Sequence, residues 1–147
     1  MSNDEIRQKI TSYLKSHNIM TLATVTPEGQ PVAHTVTYVN DSTTVYFGTN
    51  RQTRKAQNIM KNPSVSFTVD EDYADWAMIQ GVQMIGNASI LTEQTELEKA
   101  GKLYLEKFPA AANLPQNPDK IMIKIKPVSG YFLDYTKGFT HRDEVRF

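Results

Sequence analysis

Polar and apolar positions along the chain change period several times, and each change marks an element. Ile6, Ile10, Tyr13 and Leu14 recur at helical spacing behind Asn3 or Asp4, either of which suits an N-cap, so the chain opens with a helix. The period then shortens to two. "IMTLATVT" and "PVAHTVTYV" are rich in β-branched residues and flank Thr26-Pro27-Glu28-Gly29. Pro in the second place and Gly in the fourth suit a type I turn, which predicts a hairpin. The polar "NDST" leads into a third strand, "TVYFGT", and three antiparallel strands in sequence predict a meander. A helix follows, with Asn50 as its N-cap, Ala56, Ile59 and Met60 as its apolar stripe, and Pro63 stopping it at Asn62.

Beyond it, "SVSFTVD" reads as a fourth strand and "EDYAD" as a solvated acidic connection. "WAMIQGVQMIGNASIL" predicts a long strand or strand pair, with Gly81 and Gly86 at bulge or kink positions. A third helix, capped by Thr92 or Thr95, turns Leu97, Ala100, Tyr104 and Phe108 inward. "FPAAANLPQNP" is a loop. Ile121, Ile123 and Ile125 alternate with Met122, Lys124 and Lys126 as in a strand with one wet face, and "SGYFLDY" is a last strand before a polar tail, "TKGFTHRDEVRF". Six or seven strands that pair with sequence neighbours, with three helices between them, predict a mainly β, α+β fold. The expected architecture is a small antiparallel barrel with peripheral helices, one domain over residues 1–147.

Composition narrows the chemistry. Sixteen basic and sixteen acidic side chains cancel, so no general field draws the chain to nucleic acid or an anionic membrane, and any anion site has to be local. No apolar run is long enough to span a bilayer, and "MSNDEIRQKI" does not resemble a signal peptide, so a cytoplasmic protein is expected. Without cysteine there is no disulfide, thiolate metal site or thiol nucleophile. His17, His34 and His141 stand at no metal-ligand spacing, and no Gly-x-Ser-x-Gly elbow occurs. Glu71, Asp72 and Asp75 read as a solvated turn rather than an acid–base cluster.

The exception to this even charge is "TNRQTRKA". Arg51, Arg54 and Lys55 fall together at the predicted helix start, where the helix dipole disfavours cations by some tenths of a kcal/mol each. With Asn50 as cap, Arg51 and Lys55 are also a like-charge pair four residues apart. A bound anion reverses these signs, because backbone N–H groups, the dipole, the Thr53 hydroxyl and the cations would all favour it. The alternative is a basic helix start whose charges are only solvated. A P-loop is excluded, since no glycine-rich run precedes the lysine and no Ser or Thr follows it.

The stretch "YFGTNRQTRKA" resembles the phosphate-binding turn of the pyridoxamine 5'-phosphate oxidase-like, FMN-binding split-barrel family: an aromatic strand end, Thr-Asn, two variable residues, then Ser/Thr-Arg-Lys-Ala. "EGQPVAHTVTYV" resembles that family's Gly-x-Pro hairpin and flavin strand, and "NPSVSFTV" and "WAMIQGVQMIG" follow in the family's order. The resemblance implies a homodimeric split β-barrel with FMN in clefts at the subunit interface. It implies that Arg54 and Lys55 clamp the FMN phosphate with Thr53 as hydroxyl donor, and that Gly48 and Thr49 contact the cofactor at a strand end. His34, Thr35, Val36 and Thr37 would lie beside the ring through main-chain groups. Gln83 or Gln80 of the partner subunit would reach the ring, Trp76 matches an aromatic position, and Arg51 falls at a variable one.

Two departures bear on activity. The oxidases proper carry an arginine where this chain has His34, and their C-terminal substrate-phosphate motif is absent; His141 and Arg142 are not in that arrangement. The resemblance therefore implies a flavin oxidoreductase of the general-stress-protein branch, with unknown substrate and unassigned catalytic residues, His141 and Arg142 being candidates. The competing classes are an FMN or haem carrier or redox sensor without turnover, and, more remotely, a barrel-type nucleic-acid binder.

Overall fold

The computed structural model describes residues 1–147. Eight strands form one rolled antiparallel sheet, and three α-helices pack against it. Helix α1 (Asn3–Lys15) is capped by Ser2 in place of the expected Asn3 or Asp4: Ser2 and Glu5 form a reciprocal capping box, and Ile6, Ile10, Tyr13 and Leu14 are buried as their spacing requires. Strands β1 (Ile19–Val25) and β2 (Pro31–Thr37) pair as the predicted hairpin. Gly29 N donates to Thr26 O at 2.9 Å, and Gly29 sits at φ 86°, where a side chain would be strained.

The predicted meander is corrected at Tyr38. The run "PVAHTVTYV" breaks there, and β3 (Val39–Asp41) pairs with β4 (Thr44–Asn50) instead of continuing β2. The sheet order is β2-β1-β5-β6-β7-β4-β3, so β2 and β3 occupy opposite ends of the strand path although one residue separates them in sequence. That short link forces the sheet to roll until its two ends approach each other. Tyr38 is fully buried at this joint, and its hydroxyl donates to Leu14 O at 2.6 Å.

Helix α2 (Arg54–Lys61) ends at Asn62 before Pro63, as expected. Strand β5 (Ser64–Asp70) pairs with β1 and β6. Trp76–Met78 is a single 3-10 turn, and β6 (Gln80–Ile90) is one strand whose register shifts between Ile85 and Gly86. Gly81 keeps regular pairing with Asp70 and Leu133; the register shift falls beside Gly86, but the extra residue is Val128 of β7, so the bulge lies on the partner strand and Gly86 is where the β7 backbone comes too close for a Cβ. Helix α3 (Gln94–Lys107) starts after Glu93 with no side-chain cap, in place of Thr92 or Thr95. Pro109–Asn113 adds a 3-10 turn to the expected loop.

The two predicted C-terminal strands are one, β7 (Lys120–Asp134), long enough to carry β4 along its first half and β8 (Arg142–Arg146) along its second. The tail is therefore an ordered strand whose Val145 is buried. "EDYAD" is more than a solvated turn, because Glu71 pairs with His17 at 2.7 Å and Asp75 caps the 3-10 turn at Ala77 N.

The main core fills the barrel between α1, α2 and the inward faces of the strands. A second, smaller cluster lies outside, where α3 packs Ala100, Leu97 and Tyr104 over Val39, Tyr46 and Met122. No helix is long and apolar enough to cross a membrane.

Candidate functional site

Strand β4 stays paired with β7 as far as Asn50, opposite Lys120, and Arg51 N donates to Asp119 O at 2.8 Å. The sheet thus holds Asn50, and the helix cannot begin there. Asn50 Oδ1 instead accepts from Gln52 N at 2.8 Å, and Thr53 Oγ1 donates to Asn50 O at 2.8 Å. Thr53 is the N-cap, its hydroxyl accepting from Ala56 N at 3.4 Å. The expected cap at Asn50 is corrected by three residues. Arg54 and Lys55 become the first two helical residues, while Arg51 stands in the turn before the helix, so the expected Arg51–Lys55 helical pair does not form.

The correction strengthens the electrostatic anomaly. Two cations occupy the first positions of a helix whose first turn contains no acidic residue. None of the chain's ion pairs involves Arg51, Arg54 or Lys55. Arg54 is exposed and Lys55 half-buried. Thr49 Oγ1 lies 3.1 Å from Thr53 Oγ1, so two hydroxyls stand at the same helix start. An anion here would meet unpaired cations, hydroxyls and free helical N–H groups at once.

His34 joins this neighbourhood from the sheet. Its Nε2 lies 2.9 Å from Thr24 Oγ1, and Asn58 Nδ2 of α2 donates to the same oxygen at 3.0 Å. Thr24 and Asn58 are buried. Burial lowers the His34 pKa below its ordinary value, and the charges of Lys55 and Arg54 lower it further. The ring is therefore neutral at neutral pH. The sequence reading passed over Thr24 and Asn58. The signal was Asn58 itself, which is buried between Ala56 and Ile59, whereas Met60, expected in the apolar stripe, is 41% exposed.

Strand β2 ends the sheet path and pairs only with β1, leaving one edge of its main chain outside the ladder. Thr35 and Thr37 expose their side chains, while Val36 is buried. One of the expected main-chain acceptors is engaged: Tyr104 Oη donates to Thr37 O at 3.0 Å. Gly48 and Thr37 border a cavity of about 520 Å³ under α3.

The two glutamines separate. Gln80 Nε2 donates to the buried carboxylate of Asp134 at 3.1 Å and is committed within its own barrel. Gln83 is exposed on the outer sheet face, in the cross-strand row Thr35–Thr21–Thr68–Gln83. Three strand spacings place it about 14 Å from Thr35, so the single chain does not bring it into the Arg54–Lys55 site.

His141 and Arg142 also engage their own chain. His141 Nε2 lies 3.1 Å from Asp143 Oδ1, and the Arg142 guanidinium sits over the Tyr131 ring at 5.4 Å. Between them and β7, Phe139 stacks on Trp76 with centroids 6.1 Å apart; both rings are more than two-thirds exposed. No group of three or more His, Asp or Glu side chains is placed to hold a metal ion.

Comparison with known proteins agrees with this architecture. The chain is 28% identical over 127 residues to General stress protein 26 of Bacillus subtilis, covering 86% of this chain and 87% of that protein. Among solved structures it is similar to a haem binding protein from Mycobacterium smegmatis, with TM-score 0.82 and 22% identity, over 99% of this chain but 58% of that one. It is also similar to HutZ, the haem storage protein from Vibrio cholerae, with TM-score 0.71 and 20% identity, over 83% of this chain and 89% of that one. At these identities the structural likenesses establish the fold. The sequence model described as pyridoxamine 5'-phosphate oxidase matches residues 6–134, from the first buried residue of α1 to the end of β7. The chain belongs to the pyridoxamine 5'-phosphate oxidase family, as a split β-barrel member.

Proposed function

We propose that the chain binds FMN and serves as a flavin oxidoreductase in the cytoplasm. The observation that carries this reading is the pair Arg54 and Lys55, unpaired at the first turn of α2 beside the Thr49 and Thr53 hydroxyls. These residues fit a phosphate monoester: Arg54 and Lys55 hold its charge and Thr53 adds a hydroxyl. The unpaired edge of β2 from His34 to Thr37, with Val36 and Thr35 between them, offers main-chain groups to a planar ring, and Gly48 and Thr49 close the strand end. Bound there, FMN would supply hydride and single-electron chemistry, and the neutral His34 would leave the ring side of the site with less positive charge than an arginine would.

A homodimer completes the reading. Ala33, Ala23, Ser66, Ile85 and Ser129 form one cross-strand row of small or apolar residues on the outer sheet face, and Ile19 and Ile85 there are each more than half exposed. A second copy against this face would bring Gln83 of the partner subunit toward the cleft.

Titrating purified protein with FMN while following flavin fluorescence tests the site. The double variant Arg54→Ala, Lys55→Ala should weaken FMN at least about a hundredfold, since two charge-assisted contacts of roughly 1.5 kcal/mol or more are lost. Riboflavin, which lacks the phosphate, should bind wild type and variant alike. Equal FMN affinity in both proteins would remove the reading.

The second reading is a haem-binding protein. The half-buried His141 follows Phe139 closely in sequence, and Phe139 stacks on Trp76, so the segment offers an imidazole for iron near an uncovered aromatic surface. A Soret band on adding haemin, lost in His141→Ala, would favour it. The absence of that band leaves the flavin reading alone.

A further inference from the structure

We infer that Lys107 is an acylation site, where a thioester or acyl phosphate transfers its acyl group to the side-chain amine and so frees the end of α3. Lys107 is the last residue of α3, and its side chain crosses to the end of α1 and to Tyr38, the single residue between β2 and β3. Its Nζ donates to Leu14 O at 3.3 Å. It lies 4.1 Å from the centroid of the fully buried Tyr38 ring and 5.7 Å from that of Phe108. One half-buried side chain thus ties α3 to α1 and to the β2–β3 link.

The junction is a poor seat for a permanent charge. Leu14 O already accepts from the Tyr38 hydroxyl at 2.6 Å and from His17 N at 3.4 Å, so the ammonium is a third donor on a carbonyl with two lone pairs. No ion pair of the chain includes Lys107; Asp41 of β3 is held by Lys99, and His17 just beyond α1 by Glu71. Burial keeps the Tyr38 hydroxyl protonated, so its ring offers no counter-charge. The helix ends and the ring faces favour the ammonium, but burial outweighs them and pushes the Lys107 pKa down to about 8, with no neighbouring charge contributing. At pH 7.5 roughly a quarter of the Lys107 amine is then uncharged, against about a thousandth for an ordinary lysine.

An uncharged, partly desolvated lysine is a nucleophile. Its lone pair attacks the acyl carbon and a C–N bond forms. The bond from that carbon to the thioester sulfur or the phosphate oxygen breaks, its electron pair leaves with the thiolate or phosphate, and one N–H proton passes to solvent. The product suits the junction better than the ammonium does, because the amide is neutral and its single N–H still serves Leu14 O. What is lost is the cation over Tyr38. That loss falls on the weak end of the helix: Ala100 is the only buried residue of α3, and Phe108 N donating to Tyr104 O at 2.7 Å is its closing amide bond. Acylation therefore lets the last turn of α3 fray.

The chain has eleven lysines, which makes the test internal. Purified full chain is incubated at pH 7.5 with acetyl phosphate or, separately, acetyl coenzyme A, and acetylation of each lysine is followed by peptide mass spectrometry. Lys107 should react roughly tenfold faster than Lys15, Lys61, Lys102 and Lys126, which are exposed and form no ion pair, since its larger uncharged fraction outweighs its lower basicity. The advantage should shrink as pH is raised toward 10, and the donor that reacts faster identifies the source of the acyl group. In the acetylated chain, amide hydrogen exchange from Leu105 to Phe108 should quicken several-fold. Lys107→Gln, which imitates the neutral amide, should do the same, whereas Lys107→Arg, which keeps a cation there, should exchange like wild type. The labelling arm uses the unaltered protein and so does not depend on either variant folding. The inference fails if Lys107 reacts no faster than the four exposed lysines with both donors. It fails equally if the acetylated chain exchanges its α3 end as slowly as the unmodified one.

Discussion

The buried hydroxyl of Thr24 lies 2.9 Å from Nε2 of His34. Since Asn58 Nδ2 donates to the same oxygen, the Thr24 proton is free to go to the neutral imidazole, and a strand histidine is tied to the helix that carries the cations. The arrangement fixes α2 against β1 and β2 and makes the charge of His34 sensitive to what sits on Arg54 and Lys55.

That sensitivity predicts a pH dependence. The folded pKa of His34 is below its ordinary 6.5, so below about pH 6.5 the unfolded chain takes up a proton that the folded chain resists. This contribution to stability is complete above pH 6.5 and declines as pH falls from 6.5 through the lower folded value. Melting temperatures of wild type and His34→Asn, compared between pH 7.5 and 5, should converge on acidification. Parallel curves would contradict the assignment.

Asn58 tests the polar link. Asn58→Ala should destabilise the chain by about 1–2 kcal/mol, from one lost buried hydrogen bond and a small void. Thr24→Val should not add its full effect on top, because the two side chains share one bond. A double-mutant cycle by denaturant unfolding should show coupling of about 1 kcal/mol. Strict additivity would mean the contact carries no energy.

Thr53 has two duties that can be separated. As the N-cap of α2 its loss in Thr53→Ala should cost about 1 kcal/mol of stability. Thr53→Ser keeps the oxygen and should restore most of that. If the FMN reading holds, affinity for FMN should follow the same order, wild type and Ser close together and Ala weaker, while riboflavin is indifferent.

The C-terminal strand should be part of the cooperative fold. Val145 is 1% exposed and packs in the main core, so Val145→Ala should cost about 2 kcal/mol. Amide hydrogen exchange at β8 should be as slow as in β7. Fast exchange from Arg142 to Arg146 would show that the tail frays independently of the sheet.

The sequence by itself determined the local elements wherever period and punctuation agreed. The Ile6–Leu14 stripe, the Pro27–Gly29 turn and the Pro63 stop all depend on contacts within a few residues, which spacing and φ preference specify directly. It also determined which charges are anomalous, because a cation at a helix start is a local conflict. Tertiary structure decided the rest. Whether Asn50 belongs to a strand or caps a helix depends on Lys120 and Asp119, about seventy residues away. Whether "THRDEVRF" orders depends on a free stretch of edge along β7. That β2 and β3 lie at opposite ends of the sheet follows from the pairing of β1 with β5 and of β4 with β7, which no neighbouring residue encodes. The approach of His34 to Thr24 and Asn58 exists only once those strands and α2 have packed together, since it joins parts of the chain that local chemistry never brings together.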